Sequence, residues 1–203
     1  MSSSVTAAET AKSTIGLQGT VIAPMTADTS EGTTYGTLQA VEGAIEAVFT
    51  PGNTDPDVQH ADDVEWDVLY PDPEHTFRLT LADLPLNIQK MIMNEHVDAS
   101  GAIWSNADDV PPYFAIGFKS EKSDHNYRYV WLLKCRAKLR EENYGTKEGA
   151  TINRQTAQVE FTAIKRTSDG YWRVKADEGV NGFTSTTGAT FLQSVPGTFT
   201  APT

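Results

Sequence analysis

Apolar and polar residues alternate with a period of two along most of this chain, and the longest such run sets the first element. From Tyr127 to Arg140, the residues Tyr127, Tyr129, Trp131, Leu133, Cys135, Ala137 and Leu139 fall on one side, and Arg128, Lys134, Arg136, Lys138 and Arg140 on the other. Successive side chains of a strand point to opposite faces, so the run predicts one long strand with an apolar side and a basic side. Upstream, Val41, Gly43, Ile45, Ala47 and Phe49 alternate with Glu42 and Glu46. After the turn-rich Pro51-Gly52-Asn53-Thr54-Asp55-Pro56-Asp57, Val64, Trp66 and Val68 alternate with Asp63, Glu65 and Asp67. These two stretches predict a hairpin with an acidic face. Further strands are expected at Leu17–Pro24, Thr76–Leu81, Tyr113–Phe118, Gln155–Arg166 and Tyr171–Ala176, the last two joined by a turn at Ser168-Asp169-Gly170.

The period changes once. Leu84, Ile88, Met91 and Ile92 repeat as the buried stripe of a helix, with Asp83 placed as N-cap and Pro85 in the first turn, predicting a helix at about 84–95. Residues 1–14 and 184–203 are Ser/Thr/Ala-rich and are expected to be arms flanking one domain over 15–183. No repeat of solenoid or propeller length is visible.

Charge sharpens this picture. The net charge is −11, but residues 1–115 hold 18 acidic against 3 basic side chains and residues 116–203 hold 9 against 13. An acidic region and a basic region on one chain can meet in successive copies of it, whereas the overall negative charge disfavours a general grip on nucleic acid. Glu42, Glu46, Asp63, Glu65 and Asp67 on one face repel one another by about 0.2–1 kcal/mol per directly opposed pair. A bound cation, a basic partner surface, a useful negative potential or a well-hydrated exterior would each account for them.

Candidate chemistry is sparse. Asp55, Asp57, Asp62 and Asp63 supply carboxylates but not the spacing of a calcium loop. His60, His75, His96 and His125 lie far apart, and Cys135 has no cysteine partner, so no zinc set forms. No nucleophile elbow, phosphate-cradling loop or dinucleotide fingerprint is present, and Cys135 sits among apolar neighbours as a small core residue. No enzyme activity, metal or cofactor is expected. The lone cysteine fits folding in a reducing cytoplasm, and neither a secretion signal nor an apolar run near the ~20 residues of a membrane span is seen. Exposed aromatics such as Trp104 and Tyr144 leave a carbohydrate- or surface-binding β-sandwich module as the alternative.

Five segments taken in order carry a more specific signal: Leu79-Thr-Leu-Ala-Asp-Leu-Pro-Leu86, Ala107-Asp-Asp-Val-Pro-Pro-Tyr-Phe-Ala-Ile-Gly-Phe118, Tyr127-Arg-Tyr-Val-Trp-Leu-Leu-Lys134, Glu141-Glu-Asn-Tyr-Gly-Thr-Lys-Glu148 and Asp169-Gly-Tyr-Trp-Arg-Val-Lys-Ala-Asp177. Over roughly 15–183 the set resembles the major tail proteins of long, flexible, non-contractile bacteriophage tails. Thr190-Phe191 stands where that family has a Trp-Phe pair. The resemblance implies a mainly β fold of two antiparallel sheets packed as a β-sandwich with one helix, and a non-enzymatic subunit. Six copies would close into a ring, and rings would stack into a tube that conducts DNA. It further implies the virion tail as location after assembly in the host cytoplasm, and tape-measure, tail terminator and distal tail proteins as partners. In that setting Glu42, Glu46, Asp63, Glu65 and Asp67 are candidates for the lumen wall or for docking on a neighbour, the lumen being preferred for part of them. Residues Pro51, Gly52, Asn53, Thr54, Asp55, Pro56 and Asp57 are the candidate inter-ring loop. Arg128, Lys134, Arg136, Lys138 and Arg140 are the candidate basic inter-subunit face.

Overall fold

A computed structural model describes residues 12–52, 55, 57–61, 64–69, 74–138, 156–180 and 182–199. The fold is mainly β with two short helices. Its strands, in chain order, are β1 (Thr14–Thr29), β2 (Gly32–Tyr35), β3 (Gln39–Ala40), β4 (Ala44–Thr50), β5 (Asp57–Ala61), β6 (Val64–Leu69), β7 (His75–Leu81), β8 (His96–Val97), β9 (Ile103–Trp104), β10 (Tyr113–Lys122), β11 (Tyr127–Lys138), β12 (Ala157–Ala163) and β13 (Arg173–Asp177). Helix α1 (Leu86–Met93) follows β7, and α2 (Ser185–Phe191) follows β13. A 9-stranded antiparallel sheet runs β2-β1-β10-β11-β12-β7-β4, with β13 on β11 and β3 on β1; β5–β6 and β8–β9 form separate two-stranded ribbons.

The expected long strand is β11, and it organises the sheet. β10 lines one edge, while the other edge is shared: β13 pairs with Arg128–Leu132 and β12 with Cys135–Lys138. The turn at 168–170 therefore does not make a hairpin of β12 and β13. Each is shorter than β11, and they bond to different halves of it.

A β-bulge sits where the two halves meet. Phe114 faces Cys135 and Ile116 faces Leu132, so Ala115 opposes both Leu133 and Lys134. An extra residue in one strand shifts the side-chain alternation by one. Leu132, Cys135 and Ala137 thus share the larger core, while Trp131 and Leu133 enter a second one with Ala115. The apolar side expected as one continuous face is split between two cores, and β11 is buried on both faces through Tyr129–Leu133.

The expected acidic hairpin does not form. β4 pairs with β7, in register Phe49↔Phe77 and Val48↔Arg78, and β6 pairs with β5. β7 offers β4 the apolar face of Phe77, Leu79 and Leu81, all buried, so pairing there packs the half-buried Ala47 and Phe49 against the larger core. A β6 partner would offer Trp66 and Val68, both of which stay exposed. A second bulge, between Ala44↔Leu81 and Glu46↔Thr80, leaves Ile45 as the extra residue and turns it outward, 55% exposed.

Helix α1 occupies Leu86–Met93 inside the expected span and buries Ile88, Ile92 and Met93. Pro85, not Asp83, is its N-cap, with no side-chain cap hydrogen bond, and Asn94 ends it in the left-handed conformation (φ 60°). Helix α2 adds a second helix to the one expected. Thr184 caps it, its Oγ1 accepting from the Thr187 N–H, and it carries no apolar stripe that periodicity could detect. It is held from outside: a Cβ on its buried Gly188 would lie 2.6 Å from the Tyr129 hydroxyl, so only glycine lets the helix approach β11 this closely.

Candidate assembly interface

The acidic candidates occupy two separate places. Glu42 precedes β4 and Glu46 stands on it opposite Thr80; both are exposed, with no hydrogen bond or ion pair among the described residues. Asp67 is exposed on β6, where its Oδ1 accepts from the Val68 N–H at 2.9 Å. Glu65 lies on the same strand, and Asp63 is outside the described residues. Of the candidate loop, Pro51 and Asp55 are exposed, Gly52 is half-buried and Asp57 opens β5; Asn53, Thr54 and Pro56 lie outside the described residues.

The basic candidates are largely neutralised within the chain. Lys134 Nζ donates to Asp28 Oδ2 at 2.6 Å, and Arg128 grips Asp177 with Nε (2.7 Å) and Nη2 (2.6 Å). Arg136 stacks on Tyr113, 4.1 Å from the ring centre. Lys138 is exposed and stands opposite Glu160 in the β11–β12 ladder. Arg140 lies outside the described residues. The bulge also separates the row. Alternation places Arg128 on the face of Leu132 and Cys135, whereas Lys134, Arg136 and Lys138 continue the face of Trp131.

Three buried polar knots have no counterpart in the sequence reading. Asp28 accepts from Lys134, from the Thr167 N–H and hydroxyl, and from the Thr33 hydroxyl. Burial by itself would raise its carboxyl, but Lys134 and the Thr167 and Thr33 donors outweigh that and hold it well below the ordinary carboxylate range. Arg166, 2% exposed, binds both oxygens of Asp169 and donates to Pro196 O (3.0 Å) and Gly197 O (3.1 Å). Glu178 accepts from the Tyr129 hydroxyl at 2.8 Å and from the Tyr127 N–H at 3.0 Å. Any carboxylate could in principle find such partners, so only sequence-distant pairing reveals which ones do.

These knots and His75 give a pH dependence. Burial, followed by nearby Arg173, holds the His75 imidazole below its ordinary 6.5, and its Nδ1 accepts the Gly52 N–H at 3.0 Å, which only a neutral ring can do. Asp28 and Asp169 are depressed too, burial there being outweighed by cationic and backbone donors; in Asp177 the Arg128 hydrogen bond leads. Groups with a lowered folded pKa stabilise the fold above their unfolded value and lose that contribution as pH falls. The unfolding midpoint is therefore expected to fall in two stages, the first starting near pH 6.5 from His75 and the second below about pH 4 from the carboxylates. In denaturant titrations across pH, His75→Gln should remove the first stage only. A wild-type midpoint flat from pH 7 to 5 would contradict it.

Among the described residues no group of three or more His, Cys, Asp or Glu could hold a metal ion, and no helix is long and apolar enough to cross a membrane. Cys135 is buried, and burial raises its thiol. Trp104 is 64% exposed, its Nε1 donating to Asp98 Oδ2 at 2.8 Å. The family model described as phage tail tube protein matches residues 6–202. No curated protein matches the chain.

Proposed function

Because the chain belongs to the phage tail tube protein family, a structural component of the virion tail that self-assembles into a tube, we propose that its copies close into hexameric rings whose stacked bore conducts DNA during ejection. The tail is of the long, non-contractile kind, and assembly takes place in the host cytoplasm, with tape-measure, tail terminator and distal tail proteins as partners. The two wings of the sheet, parting at β11, stack as the layers of a β-sandwich. Asp63, Glu65 and Asp67 line the bore, and residues 51–57 reach the next ring. The N-terminal residues 1–14 bridge neighbouring copies, as does part of 184–203.

The family match over nearly the whole chain carries this reading. The β5–β6 ribbon supports it. An isolated two-stranded hairpin is marginal in water, and this one exposes Trp66 (70%) and Leu69 (59%), which a neighbouring copy would cover. Charge supports the bore, since no Lys or Arg stands between Lys12 and Arg78. B-DNA presents one charge per ~1.7 Å, and a cationic wall would hold it through many phosphate contacts while an acidic one lets it slide. Negative-stain images of concentrated protein should show tubes with a central channel. Only monomers across salt and concentration, together with specific binding on a glycan array through Trp104, would favour the carbohydrate-binding alternative.

A further inference from the structure

Beside the neutralised basic row, β13 carries two cations that form no ion pair among the described residues. On β13, Arg173 and Lys175 stand opposite Leu132 and Val130 of β11, on the same face as Asp177 opposite Arg128. Asp177 is already shared by Arg128 and by Lys122, whose Nζ lies 3.2 Å away. The Arg173 guanidinium rests on Trp172 and Phe49, 4.3 and 4.9 Å from the ring centres. Among the described residues neither Arg173 nor Lys175 has a carboxylate within ion-pair distance. Burial lowers the pKa of both, and Arg173 and Arg128 lower Lys175 further, so the cluster resists its own charge.

The chain carries the complement. Glu42 and Glu46 are exposed and unpaired among the described residues, on and beside β4, and β4 and β13 each bond to a single neighbouring strand. Within one copy no ion pair joins the two sets among the described residues, although Arg173 reaches Phe49 of β4. Matching one patch on each copy to a different patch on the next is a heterologous contact, the kind that closes rings or extends filaments. We infer that Arg173 and Lys175 on β13 receive Glu42 and Glu46 of a second copy, forming the electrostatic seam between subunits. This rests on the tube reading above. A nucleic-acid role for the cluster is disfavoured by the net charge of −11 and by the Asp177 carboxylate on the same face.

Charge reversal tests the seam. The variant Arg173→Glu/Lys175→Glu should melt as a folded protein yet need about tenfold or more higher concentration than wild type to form tubes, the scale expected for breaking close interfacial charge pairs. Adding Glu42→Lys/Glu46→Lys to the same chain should restore tubes, because every seam is then matched with signs exchanged. Normal tube formation by the double variant overturns the inference, as does a folded quadruple variant that stays unassembled. Loss of double-stranded DNA binding with unchanged assembly would assign the cluster to nucleic acid and overturn it too. Wild-type protein that forms no tubes would remove the tube reading and the seam together, whereas wild-type tubes indifferent to charge reversal remove the seam alone.

Discussion

Arg166→Ala is expected to destabilise the fold by about 3–5 kcal/mol, the range for removing one partner of a buried ion pair. The side chain is 2% exposed, and its loss leaves the Asp169 carboxylate without its cation, held by the Tyr171 and Phe199 N–H groups alone, and removes the donors to the carbonyls of Pro196 and Gly197. Asp169 also accepts from the Phe199 N–H at 3.1 Å, and Phe199 packs edge-on against Tyr171. One guanidinium thus ties the 166–171 turn to the end of the chain. Arg166→Lys should recover little, because an ammonium cannot reproduce the planar fork. Urea unfolding gives the magnitude, and limited proteolysis should show cleavage near 195–199 in the variant before global unfolding. A loss under 1 kcal/mol would mean that the knot is a bystander.

The second large effect lies at Gly117. It faces Trp131 across the β10–β11 ladder, and a Cβ there would meet three atoms of the indole at 2.7–2.8 Å. The ring cannot yield, being fully buried with its Nε1 donating to Phe191 O at 3.0 Å and α2 behind it. Overpacking at such a site costs about 1–3 kcal/mol, occasionally more, so Gly117→Ala should fall at the upper end. Trp131→Ala should cost about 3–5 kcal/mol through the cavity it leaves. The double variant should lose clearly less than the sum, since removing the ring makes room for the methyl group. Additive losses in denaturant titrations would show that the glycine is not there to seat the ring.

Part of this fold is legible in the chain. Alternation over Tyr127–Arg140 located β11, the stripe Ile88 and Ile92 located α1, and Ser168-Asp169-Gly170 located a turn, because each depends on residues near in sequence. The partner of β4 was not legible. Its alternation suits any apolar strand edge, and β7 prevails over β6 by packing Phe49 against the larger core. Nor were the bulges at Ile45 and at Leu133–Lys134, where one additional residue moves every later side chain to the other face.

Helix α2 was hidden for a related reason: Ser-Thr-Thr-Gly-Ala-Thr-Phe has weak helical propensity, and contact with Tyr129 and Trp131 holds it in place. The candidate sites divide in the same way. Charge composition singled out an acidic region and a basic region, and that follows from the sequence alone. Which cations stay unpaired was decided in three dimensions. Lys134 finds Asp28 at a separation of 106 residues and Arg128 finds Asp177 at 49, while Arg173, half-buried on Trp172 and Phe49, and the exposed Lys175 form no ion pair among the described residues. A sequence determines the local periods and the inventory of charges. Partner choice, register and neutralisation depend on which distant surfaces bury most when they meet, and only the tertiary structure decides that.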